Sequence, residues 1–235
     1  MRAIILAGGA GLRLREIIND VPKPMAPIAD NPFLEYLVLQ LSKWGINEII
    51  LSIGYKREIV KSHFGTGERW GAKILYSEEQ EPLGTGGAIK KAATFLRDEH
   101  VVVMNGDSFF NLDLNKLLSF HKEKQALATI SLLKVKDTNR YGRVEVDPAG
   151  SIKKFTEKAP GAEGLINSGI YVLSPKALKI IPAEKCSFER DVLPLLVGRG
   201  LFGLSDQGFF IDIGVPTDYL SLSNHPQQLL DAVNL

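Results

Sequence analysis

Two hydrophobic periods take turns along this chain. Arg2–Ala7 is a short apolar run ended by Gly8-Gly9, the pattern of a buried parallel strand. Phe33, Leu34, Leu37, Val38, Leu41 and Trp44 then recur at helical spacing over Pro32–Trp44, with Asn31 placed to cap that helix and Gly45 to stop it. Glu48–Ile53 predicts a strand, Arg57–Phe64 a helix, Lys73–Tyr76 a strand, Gly87–Leu96 a helix and Val101–Met104 a fully apolar strand. Such alternation predicts an α/β fold with a mostly parallel sheet covered by helices. After about residue 126 the pattern changes to consecutive strands at Ala128–Lys134, Arg143–Val146, Ile152–Phe155 and Ile166–Leu173, with turn signals at Asp147-Pro148 and Ala149-Gly150. Helices return at Pro175–Ile181, Phe188–Val197 and Thr217–Leu230. With no internal repeat or long linker, one domain over 1–235 is expected, in two halves, 1–126 and 127–235.

Composition narrows the chemistry. Lys and Arg number 28 against 27 Asp and Glu, so the broad basic face of a nucleic-acid binder is not expected. The single Cys186 excludes an intrachain disulfide and a cysteine-rich zinc site, and the four histidines show no paired spacing. No run approaches a membrane span, and Ala3–Ala7 is too short for a signal-peptide core. A soluble, reducing, cytoplasmic setting follows as the expectation.

Anion binding must then rest on a few placed groups. Leu6-Ala7-Gly8-Gly9-Ala10-Gly11-Leu12-Arg13-Leu14 follows the first strand; its glycines let backbone amides approach a ligand, and Arg13 and Arg15 suit phosphate oxygens. A tight turn with solvated arginines is the bland alternative. The dinucleotide fingerprint fails because Leu14 stands where a third glycine is needed, and a P-loop fails because no Gly-Lys-Ser/Thr follows. Pro22-Lys23-Pro24-Met25 fixes the backbone on both sides of Lys23 and aims its ammonium. Glu78-Glu79-Gln80-Glu81-Pro82-Leu83-Gly84-Thr85-Gly86-Gly87 joins a strand to a helix and offers polar groups for a flat base edge, although acids before a helix also suit its dipole.

Asn105-Gly106-Asp107 ends an apolar strand, where open α/β sheets bind ligands, and a hard oxygen there suits Mg²⁺. By itself Asp107 is equally a cap for the next helix. Asp212 likewise stands among apolar neighbours, and one shared cation accounts for both carboxylates better than two separate burials. Glu157, Lys158, Asn167 and Ser168 add hydrogen-bonding groups and a charge suited to a phosphorylated sugar; taken singly, a surface ion pair and a strand-edge amide serve as well.

The ordered series LAGGAGLRL, PKPM, EPLGTGGA, NGD, FTEK, NSGIY and DIG resembles the sugar-1-phosphate nucleotidyltransferases over nearly the whole chain. The resemblance implies a Rossmann-like domain that joins a nucleoside triphosphate to a sugar 1-phosphate and releases pyrophosphate. It implies a nucleotide-binding first half and a sugar-phosphate-binding second half. Leu12 replaces the family's usual Thr, and with the chain ending at Leu235 the β-helix of some members is not expected. Carried over by motif, Arg13, Lys23 and Asp107 are the expected catalytic residues. Leu6, Ala7, Gly8, Gly9, Gly11, Glu79, Pro82, Gly84, Thr85, Asn105 and Gly106 would hold the nucleotide. Gly142, Glu157, Lys158, Asn167 and Ser168 would hold the sugar phosphate, and Asp107 with Asp212 would hold Mg²⁺.

Glu79 bears on the base. Guanine presents two donors that one carboxylate accepts together, whereas uracil presents one donor between two acceptors. GTP is therefore the expected nucleotide among NTPs. PMAP after Lys23 with PLGTGGAI is most similar to members acting on D-glycero-α-D-manno-heptose 1-phosphate, with mannose 1-phosphate and N-acetylmuramate 1-phosphate as alternatives. No nucleic acid or membrane partner is expected, and self-association as a homo-oligomer stays open. A nicotinamide dehydrogenase would need an acid ending the second strand, where Ser52-Ile53-Gly54-Tyr55 stands. A non-catalytic sugar-nucleotide sensor would tend to lose phosphate or metal ligands, and these are present.

Overall fold

Arg2 and the four apolar residues after it form the first strand, Arg2–Leu6, which pairs in parallel with Glu48–Ile53; that strand pairs in parallel with Lys73–Glu78. Ala3, Ile4, Ile5, Ile49, Ile50 and Leu51 are wholly buried, as a parallel sheet covered on both faces requires. The computed structural model describes residues 1–9, 11–14, 16–156 and 163–234, and their contacts divide into two units. The first unit comprises Met1–Pro82, Met104–Asn111 and Phe209–Leu235; the second comprises Leu83–Val103 and Leu112–Gly208.

In the first unit the helix Phe33–Lys43 buries Phe33, Leu34, Leu37, Val38 and Leu41 of the predicted stripe and Tyr36 beside them, while Trp44, its predicted last member, is the C-cap residue and only half-buried. Its cap differs from expectation. Pro32 is the N-cap residue, and Asn31 pairs with Ile28 in a two-residue ladder instead. A second small ribbon pairs Phe210–Asp212 antiparallel with Ser108–Phe110. Asp107 therefore leads into a strand and caps no helix; the next helix, Leu114–Glu123, takes its cap from Asp113 in the second unit. The helix expected over Thr217–Leu230 is two, Pro216–Asn224 and Gln227–Val233. Pro226 has no N–H to continue the ladder, and it forces the preceding His225 out of helical geometry.

The second unit carries the mixed pairing. Gly164–Leu173 runs antiparallel to both Ala128–Val135 and Arg143–Val146, Ile152–Thr156 is antiparallel to Arg143–Val146, and Leu201–Asp206 is parallel to Ala128–Val135. The expected fold class, a mostly parallel but mixed sheet flanked by helices, is met. The helix Gly84–Ala92 begins three residues before the predicted start. Its glycines are poor helix formers, but they allow Gly86 N–H to reach the Cys186 carbonyl at 2.9 Å, and a Cβ on Gly86 would stand 2.5 Å from the Cys186 Sγ. Phe188–Val192 is a π-helical turn before a short α-helix, Leu193–Leu196, in which Pro194 offers no N–H. Among the described residues no helix is long and apolar enough to cross a membrane.

A buried histidine in this unit makes stability depend on pH. His121 sits between Thr129, whose Oγ1 is 2.8 Å from its Nδ1, and His100, whose Nδ1 is 2.9 Å from its Nε2. Burial, with a smaller contribution from His100, pushes its pKa down from 6.5 to about 4. The unfolded chain thus takes up this proton first, so the stability is complete above about pH 6.5 and declines as pH falls toward 4. Between pH 7 and pH 5 the wild type should lose about 2 kcal/mol more than His121→Gln does in urea unfolding. Parallel losses in the two proteins would show that His121 is not the titrating group.

Candidate active site

The first unit gathers most of the nucleotide motifs at the ends of its parallel strands. Past Leu6, the Ala7 N–H donates to the Ser52 carbonyl at 2.8 Å and the Tyr55 N–H to the Gly8 carbonyl at 3.3 Å, so the glycine loop leaves over the second strand. A Cβ on Gly8 would overlap the Glu79 Oε1; only glycine lets the loop lie against that carboxylate. Glu79 is 9% exposed, and its Oε1 accepts from Ser52 Oγ at 3.2 Å. Gly11 has φ +59, and a Cβ there would fall 2.5 Å from the Lys23 Cβ, so the same loop rests on the lysine stem. Gly9 and Arg13 are exposed, Arg13 within the turn Leu12–Leu14. Pro82 is exposed at the end of this unit.

Lys23 opens the turn Lys23–Met25, held by the Ala26 N–H to the Lys23 carbonyl at 3.0 Å. Its side chain is 9% exposed, and Nζ donates to Asp107 Oδ2 at 2.6 Å. Gly106 lets this segment touch the first strand: its N–H donates to the Leu6 carbonyl at 3.0 Å, and a Cβ would stand 2.5 Å from that oxygen. Asn105 Oδ1 is buried and has no hydrogen-bond partner among the described residues, a cost of about 1–3 kcal/mol of the kind that gathers at functional positions.

The ribbon then brings the two predicted metal carboxylates to neighbouring positions. Asp212 pairs in register with Ser108, and the Ile213 N–H donates to the Asp107 carbonyl at 2.9 Å. Asp212 Oδ1 accepts from the Gly214 N–H at 2.6 Å, which orients it. No cluster of three or more His, Cys, Asp or Glu exists among the described residues. Two hard carboxylates without a complete protein cage fit Mg²⁺, which commonly takes its remaining ligands from substrate phosphates and water. Glu78, by contrast, lies within ion-pair distance of Arg57 at 3.4 Å and Lys61 at 3.1 Å, a structural role.

The second unit holds the other cluster. The Asn167 N–H donates to the Gly142 carbonyl at 3.2 Å, so these two predicted residues are neighbours. The register of Gly164–Leu173 against Ala128–Val135 slips between Asn167 and Tyr171, with Gly169 at φ +83. This bulge re-aims successive side chains. Ser168 is 2% exposed and gives its hydroxyl to the Ser131 carbonyl at 3.0 Å, while Asn167 stays half-buried. Gly84, at φ +70, begins the helix whose Thr85 hydroxyl donates to Glu189 Oε2 at 2.6 Å and accepts from the Phe188 N–H at 2.8 Å. Glu157 and Lys158 lie outside the described residues. Sequence reasoning passed over Ser52 and Glu189. Ser52 is a small polar residue in an apolar strand, the one local sign it gives; Glu189 looks like any acid in a first helical turn.

Comparison with known proteins gives this arrangement a family. The family model "Nucleotidyl transferase" matches residues 2–228. A D-glycero-α-D-manno-heptose 1-phosphate guanylyltransferase from Aneurinibacillus thermoaerophilus is 44% identical over 93% of this chain and 95% of its own length. One of the same description from Campylobacter jejuni is 46% identical over 93% of this chain and 97% of its own. The crystal structure of HddC from Yersinia pseudotuberculosis complexed with GMP-PN superposes with a TM-score of 0.84 at 36% identity, covering 95% of this chain and 98% of that one. A match running nearly end to end, over a chain whose glycine loop and lysine–aspartate pair stand at the strand ends, makes this protein a member of the nucleotidyl transferase family.

Proposed function

We propose that the chain is a sugar-1-phosphate guanylyltransferase, moving GMP from GTP to D-glycero-α-D-manno-heptose 1-phosphate and releasing pyrophosphate. The observation that supports the guanylyl reading is Glu79, buried against Gly8 and hydrogen-bonded by Ser52, whose carboxylate would accept from the two guanine donors. The choice of heptose rests on the two relatives of that description at 44% and 46% identity.

The attacking phosphate is already ionised at neutral pH, so the reaction needs no protein nucleophile. It needs two anions brought together in line, and charge neutralised as pyrophosphate leaves. The glycine-loop amides and Arg13 would hold the triphosphate, and Lys23, aimed by its flanking prolines, would stand at the α-phosphate. Its present partner Asp107 keeps that ammonium paired at 2.6 Å until phosphate oxygens compete for it. Asn167, with Gly142 behind it, would hold sugar hydroxyls, joined by Glu157, and Lys158 would meet the sugar phosphate. Members of this family generally use a divalent metal. Here Asp107 and Asp212 would hold Mg²⁺, whose charge would offset that of the phosphates.

A matrix of GTP, UTP, dTTP, ATP and CTP against heptose and mannose 1-phosphates, read as pyrophosphate formed, tests the reading. The GTP–heptose pair should give the highest kcat/KM, and a maximum with UTP or dTTP would reject it. The phosphate assignments separate by ligand: Lys158→Ala should weaken the sugar phosphate about tenfold or more, and Arg13→Ala should weaken GTP to a similar degree. Calorimetric titration of each ligand alone checks this, and equal losses of both ligands in both variants would mean the two halves are misassigned.

A further inference from the structure

We propose that Gln40 is a positioning residue for the metal site: its amide pins the outer edge of the ribbon that carries Asp212 to Asp107. The inference rests on the reading of those two carboxylates as Mg²⁺ ligands, and it adds a residue that stands outside every motif of the sequence.

The ladder of the ribbon shows which way Phe110 faces. The Ile213 N–H donates to the Asp107 carbonyl and the Asn111 N–H to the Phe209 carbonyl, each at 2.9 Å, while Ser108 stands opposite Asp212 and Phe110 opposite Phe210. In an antiparallel pair such bonds belong to alternate residues. Residues 107, 109 and 111 thus turn their backbone groups toward the partner strand, and Ser108 and Phe110 turn theirs away from it. The Phe110 carbonyl leaves the ribbon on its outer edge, and Phe110 is wholly buried, so bulk water does not serve it there. Gln40 Nε2 donates to that carbonyl at 2.7 Å.

Gln40 comes from the helix Phe33–Lys43 and is 2% exposed. The Phe110 carbonyl only accepts, so the amide nitrogen must face it. That choice leaves the Gln40 Oε1 buried with no hydrogen-bond partner among the described residues. Leucine or methionine would fill a buried helix position without stranding an oxygen. Packing alone therefore does not account for the amide; the donor it gives Phe110 does.

The effect reaches the carboxylate through the ribbon. Side chains two apart on a strand share a face, so Phe110–Phe210, with ring centroids 6.0 Å apart, and Ser108–Asp212 are successive cross-strand pairs on one face. A two-stranded ribbon is marginal by itself and takes its place from what it packs against. Asp107 has separate support next to it, in the Gly106 N–H bonded to the Leu6 carbonyl at 3.0 Å, whereas Asp212 arrives on the far strand. Loosening the ribbon at Phe110 should shift Asp212 against Asp107 and spoil the pair for a small ion that demands near-ideal geometry.

Mn²⁺ titrated into the protein alone, with the free ion read by electron paramagnetic resonance, reports the site without turnover. Wild type, Gln40→Met, Gln40→His and Asp212→Asn are compared, together with melting temperatures and the Mg²⁺ concentration for half-maximal turnover. Gln40→Met has no donor and should weaken Mn²⁺ and raise the Mg²⁺ requirement by about tenfold or more, the usual effect of losing a group that orients a metal ligand. Its melting temperature should stay near that of wild type, since one stranded carbonyl replaces one stranded amide oxygen. Gln40→His keeps an N–H at a similar reach and should retain most of the affinity; Gln40→Leu takes the place of Gln40→Met should that variant not fold. A packing role would reverse this order and favour methionine over the ring. In an Asp212→Asn background Gln40→Met should add less than about twofold to the Mg²⁺ requirement, because the ligand it positions is already gone. Unchanged Mn²⁺ affinity in Gln40→Met overturns the proposal, and so does a loss that persists in full beside Asp212→Asn. Mn²⁺ binding as tight in Asp107→Asn and Asp212→Asn as in wild type would instead reject the metal assignment beneath it, whatever Gln40 does.

Discussion

Asp107→Asn and Asp212→Asn should each fold and lose at least about a hundredfold in turnover at saturating Mg²⁺, because a cation set against phosphate charge would be worth several kcal/mol. The two positions reach each other by a long route. Asp107 follows a strand of the central sheet, and Asp212 arrives on a ribbon whose partner residue is Ser108, one step from Asp107. Asparagine keeps the shape and, at 212, the hydrogen bond from the Gly214 N–H, but removes the charge that would hold a metal. Asp107→Asn has a second consequence: the Lys23 ammonium, with its side chain 9% exposed, loses its carboxylate partner. Asp107 itself is 41% exposed, so solvent screening keeps the stability cost of that loss small. Turnover should therefore fall far more than the melting temperature. Stopped-flow pyrophosphate release alongside differential scanning calorimetry separates the two, and near-wild-type turnover in either variant would remove that residue from the metal site.

How much of this was legible depends on how local each cause is. The strand Arg2–Leu6, the helix Arg57–Phe64 and the strand Arg143–Val146 are written in periodicity that needs no partner. The glycine loop was legible for the same reason: Gly8 and Gly11 mark close approach whatever approaches. What approaches was not. That Gly8 yields to Glu79 and Gly11 to Lys23 is decided by pairings between distant segments. The cap at Asn31 failed because the preceding turn draws that residue into a ladder with Ile28, a competitor that no helix-capping preference can see. The early start of the helix at Gly84 is likewise tertiary, since its glycines hold their place only against Cys186.

Ser168 shows the limit most clearly. The sequence Asn167-Ser168-Gly169 offers two polar side chains side by side, and a regular strand would send them to opposite faces. The bulge before Tyr171 settles their surroundings, with Ser168 Oγ against the Ser131 carbonyl and Asn167 against Tyr171. Glu189 was illegible altogether. Its contact with Thr85 spans 104 residues, and its local setting is that of any acid near a helix start.

Glu79→Gln should collapse the preference for GTP over UTP. Glu79 is legible by its place before Pro82-Leu83-Gly84, and the structure adds what sequence lacked, the Ser52 hydroxyl on Oε1 at 3.2 Å and the Gly8 backbone against the same oxygen. Those contacts hold the carboxylate in one orientation. A carboxylate so held would accept from the ring N–H and the amine of guanine together, while uracil would bring a carbonyl oxygen against a negative charge. The amide that replaces it has one acceptor. If the Gln oxygen stays with Ser52, its amine meets a guanine donor. One donor left unsatisfied costs about 1–3 kcal/mol, or roughly fivefold to more than a hundredfold in kcat/KM for GTP. The same amide offers uracil the donor and acceptor it lacked, so UTP use should hold or rise. The decisive quantity is the ratio of kcat/KM for GTP to that for UTP, with heptose 1-phosphate saturating, in wild type and variant. A ratio that does not move places Glu79 outside the base site; a fall of both nucleotides together would mean that it supports the glycine loop through Gly8 and does not read the base.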